Sequence, residues 1–196
     1  MTIPEPGVRT ASAHPGTPPA APLPSSGGGR HLTITVLAKP VGQGAIRHGK
    51  TGMAYHANAK LLKPWRQTVQ AAAVEATGRH AYVAPKTVKG EKRPPPICVA
   101  CGTAKKVHGL FLGAVHLSIV ATFPRPKSDP TRAHPTGQNI GDWDHHGRSI
   151  SDALTGVVFA DDSQIIDGTV TKTYPGGHRD SLITPGAVIR VWEVAP

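Results

Sequence analysis

VHLSIVATF, running from Val115 to Phe123, alternates apolar Val115, Leu117, Ile119, Ala121 and Phe123 with His116, Ser118 and Thr122. A period of two sends successive side chains to opposite faces of an extended chain, so the segment reads as a strand with one face against a core. Pro124 and Pro126 end it, because proline has no amide hydrogen to offer a ladder. Upstream, LTITVLA from Leu32 to Ala38 repeats the pattern with Leu32, Ile34 and Val36 on one side and forms the first core strand. Between Pro64 and Gly78 the spacing changes. Trp65, Val69, Ala72, Ala73 and Ala76 recur at helical intervals, with Trp65 anchoring the apolar stripe in the core and Gly78 as the stop. Downstream, Ile150, Ala153, Leu154 and Val157 give the apolar face of a second helix, and alternation returns over Gln164–Tyr174 and Ala187–Val194. This order has no regular βαβ repeat, which predicts an α+β domain with a mixed β-sheet flanked by helices.

The segments outside that frame have a different composition. Residues 1–30 are rich in Pro, Ala, Gly and Ser and lack the apolar surface to offset ordering entropy, so they are expected to be a disordered tail. One domain, residues 31–196, follows. It is interrupted at about residues 80–113 by a segment of no clear period that reads as an insertion and holds both cysteines, Cys98 and Cys101. From Lys39 to Tyr55 the glycines suggest a short hairpin or glycine-rich loop in which Arg47 and Lys50 approach a phosphate; an ordinary surface hairpin fits equally well.

Charge narrows the partner. The 196 residues carry 22 Lys and Arg against 12 Asp and Glu, a formal +10, which favours a polyanion such as nucleic acid. Lys39–Arg93 holds eleven basic residues against Glu75 and Glu91, whereas Ile140–Pro196 holds eight acidic against four basic. A basic segment beside an acidic one suits a metal-dependent nuclease, with cations on the phosphates and carboxylates on the metal. No apolar run is long enough to cross a membrane, and Glu5 and many prolines stand where a signal peptide would have its apolar centre. Two cysteines cannot form a disulfide framework. An intracellular protein with no membrane partner is expected.

The acidic segment contains Asp142-Trp143-Asp144, Ser151-Asp152-Ala153-Leu154 and Asp161-Asp162-Ser163-Gln164. Inside a helix Asp142 and Asp144 would diverge by about 200°, whereas an extended approach puts both on one face, so the pair is expected at the turn into the second helix. The strand after that helix would bring Asp161 or Asp162 back to the pair. Clustered carboxylates need a cation, and Mg2+ suits hard oxygen donors and a phosphate in the remaining position; Mn2+ is an alternative. Each aspartate alone also fits a helix cap or a turn residue.

FPRPKSDPTRAHPTGQNIGDWDHHGRSISDALTGVVFADDSQIIDGTVTKTY, from Phe123 to Tyr174, resembles the core of the RusA family of Holliday junction resolvases. The correspondence runs through the basic Phe123–Lys127, the pair Asp142 and Asp144, Asp152–Gly156 and the turn Phe159–Gln164. Weaker likeness extends to the first strand, the start of the first helix and the closing strand. The resemblance implies Asp142, Asp144 and Asp162 as Mg2+ ligands, Asp161 supporting the turn, and a homodimer that resolves a four-way junction by paired symmetric nicks. Arg125 and Lys127 join Arg47 and Lys50 as DNA contacts, reading shape and phosphate rather than base edges. A role in DNA recombination and repair, in the cytoplasm of a bacterium or a phage-infected host, would follow. Two positions depart from the family pattern. His145 stands where Asn is usual, and Arg148 where the functional Lys is usual. Arg148 is assigned to the catalytic set as a phosphate contact, although a guanidinium cannot donate a proton as an ammonium can; an i, i+4 pair with Asp144 or Asp152 on the helix surface is its alternative.

Those departures define a second reading, a branched-DNA-binding protein of the same fold with impaired catalysis. A third rests on Cys98-Val-Ala-Cys101, whose spacing suits a structural Zn2+ completed by His80, His108 or His116, as in a zinc-ribbon-like interaction module. Two unligated thiols fit the same spacing.

Overall fold

A computed structural model of the chain describes residues 30–49, 52–78, 82–83, 90, 97–98 and 111–194. The expected tail up to residue 29, most of the expected insertion, Lys50, Cys101 and the side chain of Cys98 lie outside the described residues. The eight strands described are β1 (His31–Val36), β2 (Ile46–His48), β3 (Ala54–His56), β4 (Tyr82–Val83), β5 (Ile97–Cys98), β6 (Val115–Thr122), β7 (Ile165–Thr173) and β8 (Gly186–Glu193). The helices are α1 (Ala59–Ala76) and α2 (Trp143–Leu154), with single 3-10 turns at Gln138–Ile140 and Asp162–Gln164.

Four strands form the main sheet in the order β1-β8-β6-β7. β8 runs antiparallel to both neighbours, Ile34 facing Ile189 on one side and Ile119 facing Ile189 on the other. β7 runs parallel to β6, with Ser118 opposite Thr169 and Thr122 opposite Thr173. The sheet is therefore mixed and the domain α+β, as the pattern of elements predicted. β2 and β3 make the expected hairpin, and β4 and β5 a separate two-stranded ribbon within the expected insertion.

Both helices pack on one face of the sheet. Ile34, Val36, Leu117, Ile119, Ala187, Ile189 and Val191 meet Leu62, Trp65, Val69 and Ala73 of α1 and Ile150, Ala153 and Leu154 of α2 in one buried cluster. In β1, β6 and β8 the set facing the helices recurs with period two, which fixes register, since a slip of one residue would turn that set away from them. Trp65 is 3 % exposed and its indole donates to Ser149 Oγ at 3.2 Å, tying α1 to α2.

α1 begins five residues earlier than the expected Pro64, which lies inside the helix. As the sixth residue of the helix Pro64 lies past the first turn, and having no amide hydrogen it leaves the Lys60 carbonyl without its i→i−4 donor. Asn58 precedes the helix without capping it. Its side chain instead accepts from Gly44 N at 2.9 Å and donates to Gly42 O at 2.7 Å, holding the loop after β1.

Candidate metal centre

The C-terminal ends of β1, β6 and β7 and the N-terminus of α2 share one end of the molecule. Three loops define it: 37–45 after β1, 123–142 after β6 and 174–185 after β7. Phe123 N donates to Thr173 O at 2.8 Å, and the Phe123 ring meets the buried His146 ring edge-on at 5.1 Å. Gln43 N donates to His145 O at 2.9 Å, and Ser149 Oγ to Val41 O at 2.8 Å, so the first loop lies against the start of α2. That approach needs a glycine at position 42, where a Cβ would stand 3.2 Å from His145 Cβ.

Gly141, with φ +85, turns the chain into α2. Asp142 then takes the N-cap position in extended conformation without a capping hydrogen bond, and Asp144 sits in the first turn. Only Asp142 is in the extended approach expected for the pair; Asp144 is already helical. The carboxylates nevertheless converge at the helix start, Asp142 from the N-cap position and Asp144 from the first turn. Asp142, Asp144 and His145 each offer a ligand atom within 4.8 Å of the others. His145 was not placed in the expected ligand set; beside the acidic pair, His145 and His146 could be read from the sequence as Zn2+ or Mn2+ donors or as histidines with no ligand role, and His145 is the one that joins the group.

Arg148 Nη2 donates to Asp144 Oδ2 at 2.5 Å, so the i, i+4 pair is formed. Desolvation raises the Asp144 carboxyl, but the Arg148 hydrogen bond, the charges of His145 and Arg148 and the His145 amide outweigh it and hold the group below its ordinary range. His146 is fully buried, its Nε2 donating to Ile140 O at 2.7 Å and its Nδ1 without a partner. Burial lowers the pKa of this ring, opposed by the bond to Ile140 O and supported by the nearby Lys172. Lys172 of β7 is a second group that sequence reading missed: its Nζ donates to Gly141 O at 2.7 Å, beside Asp142.

Asp162 is elsewhere in the same chain. A Cβ on Gly147 of α2 would stand 3.2 Å from Val170 Cγ2, and Gly141 meets Lys172, so α2 lies antiparallel along β7. Asp162 precedes the opposite end of β7, about 15 Å or more beyond Val170 at strand rise, and does not join the group formed by Asp142 and Asp144. The expectation that the strand returns Asp162 to the pair within one chain is therefore corrected. α2 brings its own start, not its end, to the C-terminal end of β7. Asp161 does support its turn: it accepts from Ser163 N at 3.0 Å, while Gln164 Oε1 accepts from the Asp161 amide at 3.1 Å, a reciprocal capping box. The Ser163 side-chain and backbone contacts lower the Asp161 pKa.

Of the expected DNA contacts, Arg125 donates to Arg132 O at 2.6 Å and lies over the Tyr174 ring at 4.9 Å, which fixes the start of the 123–142 loop. Lys127 follows on that loop, and Arg47 is exposed on the β2–β3 hairpin that emerges from the loop at 37–45. Two carboxylates and an imidazole make a donor set that fits a divalent cation: the oxygens suit Mg2+, and the nitrogen also admits Mn2+. No helix among the described residues is long and apolar enough to cross a membrane.

Residues 71–179 match the family described as Endodeoxyribonuclease RusA. They extend from α1 past the end of β7 and include Asp142, Asp144, Arg148 and Asp162. No curated protein matches the chain.

Proposed function

The chain belongs to the RusA endodeoxyribonuclease family, and from that membership we propose that it is a Mg2+-dependent endonuclease that resolves four-way DNA junctions as a homodimer. The observation that carries the proposal is the convergence of Asp142, Asp144 and His145 at the start of α2, at the end of the sheet where the basic loops emerge. Asp142 and Asp144 hold the cation, with His145 as a further donor in place of the usual Asn. A bound divalent cation lowers the pKa of an attacking water and stabilises charge on the phosphoryl and leaving oxygens. Arg148 neutralises Asp144 and presents its remaining N–H groups to the phosphate. Lys172, fixed on Gly141 O, adds positive charge next to Asp142. Arg47 and Lys127 hold the flanking strands, with Arg125 positioning their loop.

A second copy supplies Asp162. β7 is an edge strand with one side unpaired among the described residues, and its Asp162 and Asp142 ends lie at opposite termini. Antiparallel pairing of two β7 edges about a two-fold axis would set Asp162 of each copy near Asp142 and Asp144 of the other. The same axis would place two equivalent sites for paired nicks.

The test is nicking of a labelled synthetic four-way junction in Mg2+ or EDTA by wild type, Asp142→Asn, Asp162→Asn and a mixture of the two variants. Mg2+-dependent paired nicks by wild type, none by either variant and single nicks by the mixture are expected, because a mixed dimer with shared sites keeps one intact set. Wild-type binding without nicks would favour the impaired-binder reading, and an inactive mixture of inactive variants would return Asp162 to its own chain's site.

A further inference from the structure

Trp143 is 61 % exposed, although helical spacing puts it on the stripe of His146 and Ile150, both fully buried. The core ends at His146, and the first residue of α2 continues the apolar stripe beyond it. Of the other two tryptophans, Trp65 is 3 % exposed and Trp192 packs edge-on against the His116 ring at 5.1 Å. Trp143 alone offers an open indole face. In a helix the Cα–Cβ bond tilts towards the N-terminus, so the indole leans over the helix start, beside Asp142 and Asp144.

An exposed tryptophan costs solvation free energy, and its surroundings restrict what would cover it. The adjoining carboxylates are charged, the Asp142 side chain being 80 % exposed, and Arg148 and Lys172 stand close by. A dry protein interface over this indole would have to desolvate those charges. A nucleic-acid strand would not, because its phosphates meet the cations while its bases present flat apolar faces. In a continuous duplex both faces of each base are already stacked; at a branch point a base is freed at low cost.

We propose that Trp143 stacks on a nucleobase at the branch point and so sets the preference for branched over linear DNA. The inference rests on the junction-nuclease reading above and adds a residue that selects the substrate. Aliphatic side chains exposed at the same end, such as Leu37 and Ile183, have no π face with which to do this.

The test is equilibrium binding in EDTA, where no strand is cut, to a four-way junction carrying 2-aminopurine at its branch point and to a linear duplex of the same sequence. Wild type, Trp143→Phe, Trp143→Leu and Trp143→Ala are compared, each with the mass of its assembly in solution. Wild type should prefer the junction and change the 2-aminopurine fluorescence. Trp143→Ala and Trp143→Leu should lose that response and about tenfold or more of junction affinity, with duplex binding within about twofold, while Trp143→Phe keeps most of both. The Phe and Leu variants retain apolar bulk, so their contrast decides the matter even if the Ala variant fails to fold. Equal junction preference in the Leu variant and wild type would overturn the role of Trp143 and leave the nuclease reading intact. A fall in assembly mass from dimer to monomer on replacing Trp143 would overturn it in favour of a contact between copies. No junction preference in wild type would overturn the selection proposed here, while Mg2+-dependent nicking that Asp142→Asn abolishes would still uphold the nuclease site.

Discussion

Arg148 shows how one substitution against a family pattern can be accommodated. Its guanidinium bonds Asp144 with one N–H and, being 63 % exposed, keeps others for a phosphate. A lysine there would serve the carboxylate or the phosphate with a single ammonium. Arg148→Ala is expected to slow single-turnover junction nicking by about 10- to 100-fold, as loss of a donor to transition-state charge does, and Arg148→Lys by less than about tenfold; an Ala variant at wild-type rate would remove Arg148 from the site. Asp142 and Asp144 were legible because two carboxylates at i and i+2 before a helical run need no tertiary information to be seen as a pair. His145 could have been added from the same local geometry, since it follows Asp144 in the first turn. Lys172 could not, because its contact with Gly141 spans 31 residues and depends on where β7 ends under α2.

At the scale of elements, the contact of α2 with β7 helps to place the candidate metal centre. Gly147 is a weak helix former, and the structure gives its reason: a Cβ there would press on Val170 Cγ2, and a β-branched side chain in a strand has little freedom to yield. Gly147→Leu should lift α2 from the sheet and cost about 2 kcal/mol or more by overpacking, read as a lowered midpoint in urea; an unchanged midpoint would mean that the helix shifts freely. The 174–185 loop is fastened differently, by a two-pronged bond from Arg190 of β8 to Asp180. The Arg190 hydrogen bond lowers the Asp180 pKa below the ordinary 3.8. This depressed carboxyl contributes stability that is full above that value and is lost as pH falls through the native pKa. Asp180→Asn is therefore expected to cost about 2 kcal/mol at neutral pH, with the gap from wild type closing as the pH falls from the ordinary 3.8 through the lower native pKa; a gap independent of pH would deny the pairing. The strands were legible because period-2 alternation is local and survives burial. The start of α1 was missed because Pro64 looked like a first residue, while Asn58, the residue that actually precedes the helix, spends its side chain on Gly42 and Gly44.

At the scale of the whole molecule, charge makes a prediction that no single residue does. With a formal +10, junction binding should weaken steeply with salt, log affinity falling linearly with log salt concentration at a slope close to the number of phosphates neutralised. A flat salt dependence would mean that the basic loops do not meet the backbone. The class of fold was legible from the succession of elements, but strand order was not, because alternation says which face is buried and nothing about which neighbour sits alongside. That order has a consequence for how the protein is made. β8, the last strand, occupies the slot between β1, the first, and β6, and Glu193 N meets Arg30 O at 3.0 Å. On the ribosome β1 emerges early and has no sheet partner until β8 is synthesised, so the four-stranded sheet cannot close before then. Contacts of such long sequence separation fold slowly, and the waiting edges of β1 and β6 are templates for intermolecular pairing. Synthesis of β8, not emergence of the paired carboxylates, is then the event that closes the sheet, and yield in cells should depend on chaperone supply in the interval before it.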